Sequence, residues 1–457
     1  MTRSVTTTFE STRGGEAPLT WGQLTMSLAM SRNQQQFNLG ATMDLTDLQV
    51  GVEVVVDAIG RLMARHESLH TLIRGEGGEA RQVVIPAGSL SISVEECPED
   101  EADARAISLY ERQLAMPFEF GTELPIRAGL VTADDGSVRY AVLTFPHLFI
   151  DGSALQVIRD DVRDVLAHGE FRGEPGLQPI DLARDQQRSG PATTARSVTY
   201  WTHNLRRIRP TTLGPVRAEG ERQFREAHLD SPALQAAVKR LADLHRTSPA
   251  AVLVSATVLI LGNWTDNSCV ALNIPVANRF RSQHRKVTST LVQQGLLVVD
   301  LPAGATLDEL IPLTAAALLR TYRFAYYDPA ELNRERRAID AERGQEINPL
   351  CCFNAIDTEY ARPDELDRWT AQDILAGRER SRLSWSEEAM RPRCRFCLRV
   401  LPATMRHPQS LALTANTAYL PPARIEQFLR ETEDHILTAA TLPRSRLNTA
   451  AVGEGQS

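Results

Sequence analysis

His147 is the residue best placed to do chemistry in this sequence, because two opposite patterns meet beside it. The apolar run 140–145 before it is typical of a buried strand, and residues 155–166 after it repeat with helical spacing. A neutral imidazole, with an ordinary pKa of about 6.5, can act as a general base when it is held rigidly at a cavity. Without further context, a histidine satisfied inside the core explains this position better.

Asp151 and Gly152 complete an H-x-x-x-D-G pattern with His147. A buried carboxylate at position 151 needs a cationic partner, since leaving it unpaired is costly. Gly152 allows close approach of the backbone, and its N–H could face a developing oxyanion. A turn glycine before a helix is the alternative interpretation of Gly152.

Composition limits the kind of protein that carries this pattern. The 457 residues suffice for two or three core-forming units, since one core stops growing at roughly 250–300 residues. A net charge of −7, without a basic stripe, is no electrostatic match for nucleic acid. Residues 1–18 are too polar for a signal peptide, and the apolar run 250–262 is too short to span a bilayer. We therefore expect a cytoplasmic protein.

The cysteines offer one alternative chemistry. Cys394 and Cys397 have C-x-x-C spacing, and Cys351 with Cys352 would supply two further metal ligands. Six reduced cysteines in strands and core are the favoured interpretation, because no histidine with suitable spacing lies near. We predict no metal site and no bound organic cofactor.

The elements around His147 indicate an α/β protein with two lobes, each of mixed strands followed by helices. A Pro-, Gly- and Gln-containing connector with weak periodicity separates them. We predict a flexible leader over residues 1–17, an N-terminal lobe over 18–175, a linker over 176–197, a C-terminal lobe over 198–442 and a loose tail over 443–457.

Local signals place several elements within these lobes. Asp134-Asp135-Gly136, between two apolar runs, predicts a hairpin. Ser231 and Ser248 each precede a proline and predict helix starts, and Thr46-Asp47 predicts another. Residues 291–301 are expected to form a strand pair.

Several blocks of the sequence match one family in the same order. The chain resembles the condensation domains of non-ribosomal peptide synthetases, within the chloramphenicol acetyltransferase-like superfamily, over about residues 18–440. The blocks are residues 19–23 (L-S-x-x-Q in the family), 65–71 (R-H-E-x-L-R-T, with His70 in place of Arg), 146–152 (H-H-x-x-x-D-G), 200–201 (Y-W), 275–279 (P-V-x-x-R) and 343–350 (S-R-N-P-L), followed by 353–354 (F-N).

This resemblance implies two chloramphenicol acetyltransferase-like α/β lobes in a V-shaped pseudo-dimer, with an active-site tunnel between them. It also implies a free-standing acyltransferase. The acyl group would arrive as a thioester on the phosphopantetheine arm of a carrier protein and would leave as an amide or ester of an amine or alcohol acceptor. The chain has no room for an adenylation or carrier domain, so these are expected as separate partners.

The resemblance also assigns residues. His147 and Gly152 would be catalytic, with His147 either orienting or deprotonating the acceptor, while Asp151 would pair structurally with Arg279. Substrate would contact four residues: Arg65, Gln23, Ser289 and Asn354. From the residues alone, Arg65 could equally form a salt bridge with Glu67 or another acid, Asn354 could be a local cap, and Gln23 is similarly ambiguous.

Three departures from the family pattern keep other functions open. Pro146 replaces the first histidine of the signature, residues 289–298 lack the usual Asn-Thr and Arg, and residues 326–329 read Tyr-Tyr-Asp-Pro instead of the usual Q-D-x-P-F. One alternative is a degenerate, non-catalytic module that docks carrier proteins or tailoring enzymes. Another is an acyltransferase that takes acyl-coenzyme A and a small diffusible acceptor.

Overall fold

The chain forms two compact units in the computed structural model. Unit 1 comprises Met1–Arg196, Ala277–Gln293 and Tyr326–Leu332, and unit 2 comprises Ser197–Val276, Gln294–Ala325 and Asn333–Ser457. The predicted start of the second lobe, residue 198, lies beside the first boundary. Two later segments belong to unit 1, however, which a division in chain order does not foresee. The structure describes residues 2–33, 37–214, 223–355, 366, 368–387, 395–401 and 410–441.

Unit 1 contains a five-stranded sheet and a three-stranded sheet. The larger has the order β1-β6-β7-β8-β3, with β6 and β7 parallel and the other neighbours antiparallel, and the smaller has the order β2-β5-β4. The first thirteen elements are β1 (Thr2–Glu10), β2 (Gly15–Pro18), α1 (Trp21–Asn33), β3 (Asn38–Asp44), α2 (Val52–Arg65), β4 (Thr71–Arg74), β5 (Arg81–Val84), β6 (Ala87–Glu96), α3 (Ala102–Ala115), β7 (Arg127–Thr132), β8 (Val138–Pro146), α4 (Gly152–His168) and α5 (Pro179–Arg207).

Strand β8 ends at the residue that precedes His147. All but one of its residues are buried, because it lies between β7 and β3 and is covered on both faces. The predicted hairpin is confirmed: β7 and β8 pair antiparallel, and Gly136 has the positive φ of 78° that the turn requires. The strand ends at Pro146, which lacks an N–H for further pairing.

Helix α4 leads away from His147 as the periodicity predicts. Asp151 is its N-cap, and its side chain accepts a hydrogen bond from the Ala154 N–H. Gly169 ends the helix in the left-handed conformation, with φ of 76°. The buried face of α4 includes Ile158 and Val162, which pack in the core of unit 1.

The N-terminus is not a flexible leader. Residues 2–10 form β1, which pairs antiparallel with β6 along its whole length, from Thr2 opposite Glu95 to Glu10 opposite Ala87. Strand β1 is rich in threonine, which favours strands, and only Thr7 and Phe9 are buried. The polar composition of these residues therefore gave no sign of a strand, because β1 is stabilised mainly by its pairing with β6.

The predicted linker is part of a helix. Helix α5 spans Pro179–Arg207 and contains the boundary between the units. It buries polar as well as apolar side chains: Gln186 is 4 % exposed and accepts a hydrogen bond from the Trp21 N–H. Buried polar residues blur the apolar periodicity from which a helix is recognised.

Helix α2 begins later than predicted. Its N-cap is Gly51, without a side-chain hydrogen bond, whereas Thr46 and Asp47 lie in a turn that ends before the helix. The Thr46 N–H donates to the Asp44 side chain. The capping signal at Thr46-Asp47 thus belongs to a turn between β3 and α2.

The remaining elements lie in unit 2, apart from the first residues of β11 and α9, and include a seven-stranded sheet of order β11-β10-β12-β14-β15-β9-β13. They are β9 (Phe224–Asp230), α6 (Pro232–His245), α7 (Pro249–Thr265), β10 (Cys269–Val276), β11 (Gln293–Asp300), α8 (Leu307–Arg323), α9 (Pro329–Glu342), β12 (Cys351–Asn354), α10 (Ala371–Gly377), β13 (Arg382–Trp385), β14 (Phe396–Leu401), β15 (Ser410–Asn416) and α11 (Pro422–Thr441).

The helix starts predicted in unit 2 are confirmed. Ser231 and Ser248 accept hydrogen bonds from Leu234 N–H and Ala251 N–H, and each helix has proline in its first turn. Residues 291–301, in contrast, contain the single strand β11 rather than a strand pair. Across the described residues, no one helix has both the length and the apolarity to cross a membrane. The predicted tail over 443–457 lies outside the described residues.

Candidate functional site

The backbone of His147 is held on both sides. Its N–H donates to the Phe37 carbonyl at 2.7 Å, and its carbonyl accepts a hydrogen bond from the Thr290 hydroxyl at 2.5 Å. Its ring Nδ1 lies 2.9 Å from the carbonyl oxygen of Ile150. Because a carbonyl only accepts, Nδ1 carries the proton in the neutral ring and Nε2 carries the lone pair.

The surroundings of His147 favour this neutral form. Burial lowers the pKa of His147 below 6.5, and the charge of Asp151 and the hydrogen bond to Ile150 act in the opposite direction without reversing it. The residue is only partly buried, and its Nε2 has no hydrogen-bond partner among the described residues. A neutral imidazole with a free Nε2 can accept a proton at neutral pH.

Asp151 is fully engaged in structural contacts. Its Oδ1 accepts hydrogen bonds from Ala154 N–H at 2.9 Å and from Arg279 Nη2 at 2.7 Å, and its Oδ2 accepts one from Leu291 N–H at 2.8 Å. The residue is 3 % exposed. Its carboxylate therefore fixes the turn between β8 and α4 and is poorly placed for proton transfer with a substrate.

Arg279 ties this turn to the segment Ala277–Gln293. Besides Asp151, its Nη2 lies 3.0 Å from the Val287 carbonyl and 3.1 Å from the Ser289 carbonyl. The pair with Asp151 implied by the family resemblance is thus present in the structure. These contacts also help to explain why the segment belongs to unit 1 although it is distant in the sequence.

Gly152 is the first residue of α4 and is partly buried. The first N–H groups of a helix have no acceptor within it, and the helix dipole is positive at this end. Asp151 takes the N–H of Ala154. The Gly152 N–H can therefore stabilise negative charge that develops beside His147, and this role remains a prediction.

Arg65 is already occupied. Its Nε lies 3.0 Å from Asp161 Oδ2, its Nη2 donates to the Gly173 carbonyl at 2.8 Å, and its guanidinium lies over the Phe171 ring. The side chain is 12 % exposed. These contacts favour the structural alternative for Arg65, and a substrate contact by this residue stays a prediction. The alternative, an ion pair, is present, although with Asp161 rather than Glu67.

Gln23 also makes local structural hydrogen bonds, and a substrate contact by this residue stays a prediction. Its Oε1 accepts the Thr20 N–H at 2.8 Å, while the Thr20 hydroxyl accepts the Gln23 N–H at 3.2 Å. Its Nε2 donates to Gln82 Oε1 at 3.4 Å, and the residue is fully buried. These reciprocal bonds cap the start of α1.

Ser289 and Asn354 lie in different units. Ser289 is fully buried within the segment bound by Arg279, and its hydroxyl has no partner among the described residues. Asn354 ends β12 in unit 2, opposite Arg399 of β14. A substrate contact by either residue stays a prediction.

Sequence reasoning missed the hydroxyl of Thr290 and the N–H of Leu291, which hold the carbonyl of His147 and the carboxylate of Asp151. The second is a backbone group, which leaves no signature in a sequence. The first lies in the block that departs most from the family pattern. This hydrogen bond could be recognised only once the fold had shown that residue 290 lies beside His147.

A metal site at the cysteines finds no support in the described ranges. No three His, Cys, Asp or Glu side chains there are arranged to hold a metal ion. Cys352 lies opposite Cys397 in neighbouring strands, and Cys351 is buried. Cys394 lies outside the described residues, so the absence of a metal stays a prediction.

Comparisons with known proteins agree with this geometry. A family model described as Condensation domain matches residues 14–453. The phosphinothricin tripeptide synthetase PhsC of Streptomyces viridochromogenes is 27 % identical over 289 residues, which are 59 % of this chain and 26 % of that protein. Tyrocidine synthase 3 of Brevibacillus parabrevis is 24 % identical over 354 residues, 75 % of this chain and 5 % of that protein. The chain spans about a quarter or less of these relatives.

Solved structures share the fold. The first condensation domain of the calcium-dependent antibiotic synthetase, in complex with substrate analogue 3a, has a TM-score of 0.67 at 14 % identity, covering 94 % of this chain and 97 % of that chain. The SgcC5 protein of Streptomyces globisporus has a TM-score of 0.68 at 18 % identity, covering 93 % and 99 %.

The fold and the matches support the same assignment. The mixed α/β, chloramphenicol acetyltransferase-like fold predicted from the sequence is confirmed. The curated relatives named above are synthetases of the nonribosomal type, in which condensation domains typically form amide bonds by acyl transfer and work with carrier-protein domains. The chain belongs to the condensation domain family.

Proposed function

We propose that this chain transfers an acyl group from a phosphopantetheine thioester, borne by a separate carrier protein, to an amine or alcohol, and so forms an amide or ester. The observation that carries the proposal is the state of His147. Its Nδ1 proton is committed to the Ile150 carbonyl and its Nε2 has no partner among the described residues. A residue in that state can accept a proton from an attacking nucleophile.

The reaction then follows from proton and charge balance. The acceptor N–H or O–H gives its proton to His147 Nε2 as the nitrogen or oxygen attacks the thioester carbon. The carbonyl electrons move to its oxygen, near which the Gly152 N–H can supply positive potential. When this oxyanion collapses, the C–S bond breaks, and the thiolate leaves and takes the proton from the imidazolium.

Asp151 and Arg279 support this role without joining the chemistry. Their ion pair at 2.7 Å neutralises both charges and is almost fully buried, so it stays formed during the reaction. It fixes the turn that carries His147 and the start of α4.

Pro146 is compatible with a mechanism that uses one histidine. It is buried at the end of β8, opposite Asn38 of the edge strand β3. Its ring removes an ionisable group beside His147 and terminates the pairing. We expect this change to alter which acceptors bind rather than to remove the base.

The test uses the purified chain with a separately expressed carrier protein, loaded with an acyl group, and a panel of amines and alcohols. General base catalysis contributes roughly 10²- to 10⁴-fold, so His147→Ala should lower product formation by at least about 10²-fold. His168→Ala, at an exposed histidine that ends α4, is the matched control and should match wild type. Unchanged product formation by His147→Ala would contradict the role of His147.

Donor and binding measurements separate the remaining alternatives. Higher turnover with the carrier-bound acyl group than with acyl-coenzyme A supports the proposal, and the reverse order supports an acyl-coenzyme A enzyme. Binding of the carrier without product from any donor or acceptor supports a non-catalytic module. Intact-mass analysis of the carrier records loss of its acyl group in each case.

A further inference from the structure

Residues 290 and 291 contact both ends of the turn that carries the proposed base. The hydroxyl of Thr290 donates to the carbonyl of His147 at 2.5 Å, and the N–H of Leu291 donates to Asp151 Oδ2 at 2.8 Å. Thr290 is fully buried, as is Leu291 to within 1 %. The two bonds therefore hold the turn from its first residue to its last without competition from water.

The backbone of these two residues is itself supported by α1. A Cβ atom placed on Gly22 would lie 2.0 Å from the carbonyl oxygen of Thr290 and 2.8 Å from Leu291 Cα. Only glycine allows this approach, so α1 packs directly on the backbone that holds His147. Arg279 adds a third contact through the carbonyl of Ser289 at 3.1 Å.

Thr288 provides an internal comparison. It is 3 % exposed, but its hydroxyl has no hydrogen-bond partner among the described residues. Thr288 and Thr290 are thus two buried threonines of the same segment that differ in whether the hydroxyl reaches His147. Replacing either by valine removes a hydroxyl and keeps the β-branched shape.

We propose that Thr290 is a positioning residue for His147, acting through the carbonyl of His147 to keep the imidazole aligned. The inference rests on the proposed function. The hydrogen bond to the His147 carbonyl fixes the start of the turn. The turn then positions the Ile150 carbonyl oxygen to accept a hydrogen bond from His147 Nδ1. Loss of the Thr290 bond frees the backbone of His147 on one side, so the ring samples orientations in which Nε2 no longer meets the acceptor.

The kinetic test compares Thr290→Val, Thr290→Ser and Thr288→Val in the full chain. Thr290→Val should lower kcat by about tenfold with KM nearly unchanged, since one buried hydrogen bond is worth roughly that factor. Thr290→Ser keeps the hydroxyl and should restore most of the activity. Thr288→Val should stay within about twofold of wild type. Circular dichroism and thermal melts identify any variant that fails to fold.

A second readout needs no substrate. NMR titration of the His147 imidazole, assigned with His147→Asn, should show a pKa that moves up toward 6.5 in Thr290→Val, because a loosened turn admits water. The same titration should be unchanged in Thr288→Val. Equal behaviour of the two valine variants in both experiments overturns the inference.

The two readouts also keep this inference separate from the proposed function. If His147→Ala retains full activity while Thr290→Val shifts the titration, the base assignment fails and the positioning contact stands. If His147→Ala is inactive while Thr290→Val matches wild type in rate and titration, the function stands and the inference fails.

Discussion

Two sets of His, Asp and Arg side chains meet at α4, one at Asp151, which caps the helix, and one at Asp161 within it. The same residue types make different contacts in the two sets. At the start of the helix, His147 bonds to a backbone carbonyl while Asp151 is bound by Arg279. At Asp161, further along the helix, the histidine and the carboxylate meet directly. His66 Nε2 lies 2.6 Å from Asp161 Oδ2, and Arg65 shares that oxygen.

The direct His–Asp pair resembles a catalytic dyad but is closed to substrate. His66 is 1 % exposed, and its second nitrogen is buried without a partner among the described residues. Burial lowers the pKa of His66, although the hydrogen bond to Asp161 opposes this. Burial also raises the pKa of Asp161, but the hydrogen bonds and charges of His66 and Arg65 outweigh it and hold that pKa below its usual range.

The comparison shows which feature makes a histidine a candidate base. An aspartate partner is not that feature, since the paired His66 is sealed inside unit 1. The partly buried His147 has one nitrogen committed to the backbone and the other without a partner among the described residues. The set at Asp151 should therefore affect both activity and stability, and the set at Asp161 should affect stability alone.

The largest expected effect is that of Asp151→Ala. It leaves Arg279 buried without its counter-charge and removes the N-cap of α4, so the free energy of unfolding should fall by about 3–5 kcal/mol. Urea denaturation followed by circular dichroism measures it. A loss below about 1 kcal/mol would show that the pair is not needed to hold the turn.

Asp161→Ala should have a smaller effect that is confined to stability. It deprives His66 and Arg65 of a shared acceptor, which costs roughly 1–3 kcal/mol. Activity per folded molecule should match wild type, because no contact with His147 is lost. A tenfold drop in kcat for the folded variant would break the distinction between the two sets.

The smallest effect is a pH dependence of stability from the buried His66. Its folded pKa is lowered, so the unfolded chain binds more protons and stability falls as pH drops below about 6.5. One histidine contributes at most about 1.4 kcal/mol per pH unit. His66→Gln should flatten the loss of stability between about pH 7.5 and 5.5, measured by urea denaturation. An unchanged slope would mean that His66 is protonated in the folded protein.

Much of the region around His147 was predictable from local pattern. The run 140–145, the turn at Gly136 and the helical spacing of residues 155–166 each act over a few residues, so they were enough to place β8 and α4. The H-x-x-x-D-G pattern and the ordered blocks then indicated the family. Strand β1 was not predicted, because a polar strand is stabilised mainly by pairing with its neighbour, here β6.

The sequence by itself determined the candidate base, its carboxylate and the arginine that pairs with it. Only the tertiary structure showed that Arg65 and Gln23 form local hydrogen bonds. From the sequence, an arginine or glutamine side chain suits a structural contact as well as a substrate contact until its neighbours are known. Only the tertiary structure also brought residues 287–291 to the turn at His147. Much of that contact runs through backbone groups, which are alike in every residue and therefore leave no trace in the order of side chains.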